Sequence, residues 1–398
     1  MKKNNDYWFT IEPYTYVYFQ KNEMLFFNTL DGSILKTRNK SVIKLVKDTL
    51  SETNLSVSYL SKKKLDENDI SAFINELREL FMGDIIEIGH SSYKPIQFIS
   101  QINILNYNKK KQEYLFFSEL DKKNLISYLD ELTILINGSE HFSEFTKQTW
   151  YYNYPYSSND CFLDFEAIKR VGKEIEGSNL SSIKIIGSDF MSHPQINDII
   201  EYFKPLSVKM DYIQYNALNI SDLTTSVIYD LEFVKNNKIG FRDNVSYSFI
   251  VTKDEDLSFL DSLTEKLEDF IIIPYFTGNN LSFFEKNIYI KENDLSDEPQ
   301  HINDIFAKQF INLNQFGKLF IDVKGDIYSN LYVNKVGNID DSLKKIILKE
   351  MTSKCGMWRN TRDKEPCCNC IYQWICPTPS NYETAIGKHN LCHINNNK

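Results

Sequence analysis

The stretch from Lys354 to His393 holds six of the chain's seven cysteines: Cys355, Cys367, Cys368, Cys370, Cys376 and Cys392. Cys161 stands alone. Two residues separate Cys367 from Cys370, a spacing that lets a tight turn aim both sulfurs at one point. Cys376 follows after five residues and Cys392 after fifteen more. Four thiolates satisfy a tetrahedral metal or a cubane cluster. Pro366 before the run, and Pro377, Pro379, Ser380 and Asn381 after its third cysteine, favour loop over helix. Tyr372, Trp374 and Tyr382 can supply a dry shell for soft ligands. A disulfide framework belongs to small secreted domains, whereas this chain has 398 residues and almost no cysteine before the tail. Adjacent Cys367 and Cys368 are also awkward for separate bridges. The expectation is therefore a metal or cluster site. Spacing alone leaves zinc and iron–sulfur both open. His389 and His393 could join a zinc set but read as polar loop residues.

The length predicts two or three domains, and 42% apolar residues can bury a substantial core. A net charge of −9, with no basic helix or aromatic–basic stripe, argues against a nucleic-acid surface. No apolar run reaches the ~18 residues of a membrane span. The opening MKKNNDYW lacks the apolar stretch of a signal peptide, so the expected location is the cytoplasm.

Residues 1–95 read as a first unit. Strand patterns cover Tyr14–Phe19, Met24–Asn28 and Ser33–Lys36. A helix over Ser41–Leu50 follows, then a clearer one over Asp66–Met82, capped by Asp66 and ended by Gly83. Lys62–Lys64 reads as a solvated loop. Residues 96–315 alternate strands with helices. Strands are expected at Phe98–Leu105, Leu132–Asn137, Thr149–Asn153, Ile183–Gly187, Val208–Tyr215, Ser246–Thr252 and Phe270–Tyr275. Helices are expected at Leu163–Ile175, Pro194–Phe203, Leu223–Val234 and Asp256–Leu267. Repeated βα units imply a parallel sheet covered by helices, an α/β fold in which five or six units make a partial barrel. Residues 316–398 form the cysteine-bearing end.

Other chemistry is thin. No phosphate loop, G-x-S-x-G elbow or H-E-x-x-H is present. The six histidines are scattered, and His193 beside Pro194 reads as a cap or a satisfied polar group. Cys161, just before a helix, reads as a small buried side chain. Asp160 and Asp164 read as solvated acids. Trp358, Arg359 and Arg362 form either a polar patch beside the cysteines or a surface salt-bridge set with Asp363 and Glu365.

The run C-x2-C-x5-C with a distant cysteine resembles the second auxiliary cluster site of the SPASM domain, the C-terminal extension of many radical S-adenosylmethionine peptide maturases. That resemblance implies one [4Fe–4S] cluster on Cys367, Cys370, Cys376 and Cys392. The family's further cysteine after the third falls on Ser380, and its upstream G-x4-C falls on Gly325 to Asn330. The first auxiliary cluster is therefore expected to be lost. The family's C-x3-C-x2-C motif, which binds the radical-generating cluster, has no counterpart. Only Cys161 precedes Cys355, so neither S-adenosylmethionine binding nor autonomous radical catalysis is expected. Ile185-Ile186-Gly187-Ser188-Asp189 is similar to a diverged cofactor loop of that family. Residues 1–95 resemble the winged-helix-like module that delivers precursor peptides to maturases, where a leader peptide adds a strand to a sheet edge.

The chain is thus identified as similar to a pseudo-radical-SAM protein. The implied fold is a partial (β/α) barrel of radical-SAM type between a winged-helix-like peptide-recognition module and a SPASM-like domain. The implied role is accessory, in bacterial ribosomal-peptide maturation of the Bacteroidetes type. The implied partners are a precursor peptide and a true radical SAM maturase. A zinc-tailed structural adaptor, with Zn2+ in place of the cluster, and a stand-alone peptide-modifying enzyme with its active site in the barrel mouth are the rival readings.

Overall fold

The computed structural model describes residues 6–88, 93–98, 124–138, 161–178, 180–187, 190–206, 209–263, 267, 269–296, 299–330, 335–353 and 356–394. Cys355, Asp160 and the expected strand at Thr149–Asn153 lie outside these residues, as does all but the start of that at Phe98–Leu105.

The N-terminal unit contains two three-stranded antiparallel sheets. Strands β2 (Thr15–Gln20), β3 (Glu23–Asn28) and β4 (Ile34–Thr37) form a meander. In the other sheet, β1 (Tyr7–Ile11) lies between β5 (Val57–Leu60) and β6 (Gly83–Glu87). Helix α1 (Lys40–Thr49) is capped by Asn39, whose side chain accepts from the amides of Ser41 and Val42. Helix α2 (Lys62–Leu65) follows, capped by Ser61, so the three lysines stand on a short helix and not in a loop. Helix α3 (Asn68–Glu79) buries Ile70, Phe73, Ile74 and Leu77 on one face. Asp66 does not cap α3 but closes α2, and α3 ends before Leu80. Gly83 instead opens β6. Its Cβ position would lie 2.5 Å from both Leu77 and the Thr10 carbonyl, so strand and helix approach as only glycine allows. The apolar faces of both sheets and of α1 and α3 meet in one core around Phe9, Phe26, Val46 and Leu77.

The central sheet is built from β7 (Glu131–Gly138), β9 (Ser182–Gly187), β10 (Lys209–Tyr215), β11 (Ser226–Asp230), β12 (Ser246–Val251) and β13 (Ile271–Pro274). These strands are parallel and stand side by side in chain order. The short β8 (Cys161–Phe162) pairs with the end of β7. Between strands run α4 (Phe165–Ile175), α5 (Ile196–Phe203), α6 (Leu231–Asn236) and α7 (Asp254–Asp261), and α8 (Leu281–Asn287) follows β13. Asp164 accepts from the Ala167 amide and starts α4.

Side chains alternate across this sheet. Leu132, Ile134, Ile136, Ile183 and Ile185 face α4 and α5, and Val227, Tyr229, Phe249 and Val251 face α6 to α8. Leu135, Ile186, Ile213, Ile228, Ile250 and Ile273, one from each parallel strand, form a separate cluster with Phe320 and Val323. Cys161 is half-buried against this cluster and its backbone pairs with Gly138.

The span Leu223–Val234 is not one helix. It begins in a turn, runs as β11 from Ser226 and passes into α6 after Asp230. The apolar run of β11 is short and buried on both faces, and periodicity cannot separate such a strand from helix.

His193 is buried. Its Nε2 lies 3.0 Å from the Leu163 carbonyl and its Nδ1 accepts from the Gln195 amide at 3.1 Å. The ring is therefore held neutral, with the proton on Nε2, and burial depresses its pKa. Below the ordinary histidine pKa of about 6.5 the unfolded chain binds a proton that the folded ring resists, so stability falls with pH there. We expect chemical-denaturation midpoints to drop between about pH 7 and pH 5, and the His193→Gln variant to flatten that slope. A slope identical in the two proteins would refute this assignment.

After β13 the chain passes through α9 (Ile302–Ala307) and returns to the sheet. Strand β14 (Lys318–Ile321) pairs in parallel with β7, on the side away from β9. The antiparallel β15 (Asp326–Tyr328) and β16 (Gly337–Asn338) extend that edge. Helix α10 (Leu343–Thr352) packs its Leu343, Ile346, Ile347 and Met351 into the same core as α4.

Candidate metal centre in the cysteine-rich tail

Two anchors carry the tail to the sheet. Trp358 is fully buried, packs on Phe316 and donates its indole N–H to the Lys318 carbonyl at 3.0 Å. Buried Glu350 accepts from the Met357 and Trp358 amides and from Ser329, and burial raises its pKa.

The cysteine loop is a succession of tight turns. The Cys370 amide donates to the Cys367 carbonyl at 2.9 Å, Gln373 to Cys370 at 3.2 Å and Cys376 to Tyr372 at 3.0 Å. Helix α11 (Asn381–Ile386) follows and ends at Gly387, whose φ of 75° closes it. Cys392 arrives from a different direction. Ile290 donates to the Leu391 carbonyl at 3.0 Å, and His393 donates to the Ile290 carbonyl at 2.9 Å.

Cys370 and Cys392 are buried, Cys367 and Cys376 half-buried, and none of the four is in a disulfide. Burial pushes the Cys376 thiol up to about 12. Arg362 opposes this, and Cys370, Cys367 and Cys392 add to it. Cys367 is raised for the same reasons and receives a hydrogen bond from Arg362. Cys367 and Cys376 therefore each lie within electrostatic reach of the other three cysteines. Among the described residues, no three His, Cys, Asp or Glu side chains form a ready metal cage. The donor set itself fits a soft cation. Burial and the neighbouring thiols hold Cys367 and Cys376 protonated, and a bound metal would reverse this by deprotonating its ligands.

The surroundings are apolar on one side and cationic on the other. Tyr372, Trp374 and Ile375 are buried, and they pack with Tyr16, Leu25 and Phe27 from the β2–β3–β4 sheet. Gln20 donates to the Cys368 carbonyl at 2.7 Å, and Tyr18 donates to Gln373 at 2.8 Å. Lys36 bonds Tyr372, which donates to Glu292 at 2.5 Å. The N-terminal meander is thus part of the wall of the cysteine loop.

On the other side Arg362 is buried, with Nη2 2.7 Å from Glu383 and further bonds to the Pro377 and His389 carbonyls. Its acidic partner is Glu383, which spacing alone did not single out. Lys308 donates to the Ile375 carbonyl at 3.3 Å and to Gln300 at 2.6 Å. Burial depresses its pKa to about 8, against the pull of Cys376.

Ser380 and Asn330 have other work. The Ser380 hydroxyl and amide both engage Glu383 in a capping box on α11. Asn330 is fully buried and donates to Asn381 at 2.7 Å, and Gln315 donates to the same oxygen at 3.0 Å. His389 and His393 are exposed, the latter bonded to the Glu285 carbonyl at 2.7 Å. The Ser380-x-x-Glu383 spacing could have shown the capping box in advance. Gln315 and Lys308 carried no local signal.

The fold and this site define a class: an α/β protein whose sequentially wound parallel sheet ends in a thiol-rich tail. No protein-family model matches the sequence, and no curated protein is significantly similar to it. Similar solved structures include Streptococcus suis SuiB bound to the precursor peptide SuiA. The identity is 12%, the TM-score 0.42, and 97% of this chain and 99% of that one are covered. SuiB alone gives the same values. SuiB bound to S-adenosylmethionine gives 11% identity and a TM-score of 0.38, with coverage of 97% and 99%. Similarity of that degree sets no function.

Proposed function

We propose that this chain is an accessory protein of ribosomal-peptide maturation. It binds a precursor peptide through its N-terminal module and holds one [4Fe–4S] cluster on Cys367, Cys370, Cys376 and Cys392, working beside a radical SAM maturase. On this reading the sequentially wound sheet is a degenerate partial barrel of radical-SAM type, residues 1–95 are the recognition module, and residues 316–398 are the SPASM-like domain. The observation that carries the reading is the set of four tail cysteines outside any disulfide, with Cys367 and Cys376 each in electrostatic reach of the other three. Four thiolates saturate the cluster, which suits a structural or electron-relay role and not substrate binding at iron.

The test is the visible spectrum of protein purified without oxygen, with iron, sulfide and zinc counted per chain. About four irons and a broad absorption near ~400 nm support the cluster. One zinc and no colour would replace it with a structural knot. About eight irons would require a second cluster. Calorimetry with S-adenosylmethionine is expected to show no binding, since the described thiols outside the tail number one, Cys161. Heat of binding would overturn the expectation that the chain takes no S-adenosylmethionine.

A further inference from the structure

The turn between α3 and β6 holds a phenylalanine in an unfavourable place. Phe81 has φ 54°, in the left-handed region that side chains other than Gly, Asn and Asp avoid, and its ring is 71% exposed. Three side chains from β2, β3 and the preceding turn hold it there. Asn28 donates to the Leu80 carbonyl at 3.0 Å, Tyr14 to the Phe81 carbonyl at 2.6 Å and Thr15 to the Met82 carbonyl at 3.0 Å. Every carbonyl of the turn is caught, yet the ring contributes nothing to the core. Strain maintained by surrounding structure points to a use.

Beside the ring lies an open groove of 510 Å³, walled by Tyr14, Glu12, Glu79, Arg78 and Asp84. Its one guanidinium is engaged by Asp84 at 2.7 Å, which leaves the carboxylates of Glu12 and Glu79 in excess. The groove also sits at the C-terminal end of α3, where the helix dipole favours cations.

We propose that Phe81 and this acidic groove form a docking surface for a lysine- or arginine-bearing peptide segment, the cation lying over the ring and against Glu12 and Glu79. The proposal deepens the peptide-binding role above and rests on it for the identity of the peptide.

The test is fluorescence anisotropy with the full-length metal-loaded protein and two short labelled peptides, one alternating leucine with arginine and one alternating leucine with glutamate. The arginine peptide is expected to bind and the glutamate peptide not. Phe81→Asn should weaken binding about ten-fold, while the melting temperature stays level or rises, because Asn tolerates the left-handed region. Glu12→Lys with Glu79→Lys should invert the peptide preference. Equal affinity for the two peptides, or unchanged affinity in Phe81→Asn, overturns the proposal while the metal count leaves the maturation reading standing. A chain that binds no metal sinks that reading, and the same anisotropy series, run on it as purified, still decides this surface.

Discussion

Cys370→Ala is expected to empty the proposed metal centre and to loosen a region more than three hundred residues away in sequence. Cys370 is buried among Tyr372, Trp374 and Ile375, and its amide closes the turn that begins at Cys367. Structural sites of four thiolates contribute on the order of 10 kcal/mol to the folded state, and three ligands do not retain that. Iron or zinc per chain should fall from its full complement to near zero, and the melting temperature by about 10 °C or more. The consequence specific to this protein lies in the N-terminal meander. Tyr16, Leu25 and Phe27 bury their rings and side chains against the cysteine loop, and Gln20 and Tyr18 bond to it directly. Hydrogen exchange in β2 and β3 should therefore accelerate in the variant. If metal is lost while β2 and β3 stay protected, the loop and the meander are energetically independent and this coupling is wrong.

Arg362→Ala is expected to destabilise the fold by about 3–5 kcal/mol. The guanidinium and its partner Glu383 are 6% and 8% exposed, so the variant leaves a buried carboxylate without its counter-charge. It also releases the carbonyls of Pro377 and His389, which flank the loop before Cys392. Replacing both members of the pair, Arg362→Met with Glu383→Met, should recover most of the loss, because the penalty is the stranded charge and not the missing attraction. Urea denaturation of the two single variants and the double variant closes the cycle. A double variant as unstable as the sum of the singles would show that Arg362 acts through its carbonyl bonds instead.

Much of the α/β alternation was legible because its helices are amphipathic and its strands short and apolar. The periodicity of Ile70, Phe73, Ile74 and Leu77 locates α3, whereas Asp164, read as a solvated acid, is the N-cap of α4. Reading failed where local signals were ambiguous. The apolar residues of Leu223–Val234 fit a helix as well as a strand, and only pairing with β10 and β12 makes Ser226–Asp230 extended. Strand β1 was missed because its partners, Val57–Leu60 and Gly83–Glu87, lie far along the chain. Asp66 looks like a cap for α3 but closes α2, an error of one short helix.

What the sequence determined by itself is the chemistry available to the tail. Cysteine identity and spacing are local, and a two-residue gap allows a tight turn to bring two sulfurs together. The sequence also determined the winding of the sheet, since alternating βα patterns admit few parallel topologies. Only the tertiary structure decided what surrounds the thiols. Cys392 is brought in by Ile290, the apolar wall comes from β2, β3 and β4, and the two cations come from Lys308 and Arg362. Such contacts join residues up to hundreds of positions apart. Each is set by complementary shape and charge between surfaces that exist only after folding, so no local pattern could announce them.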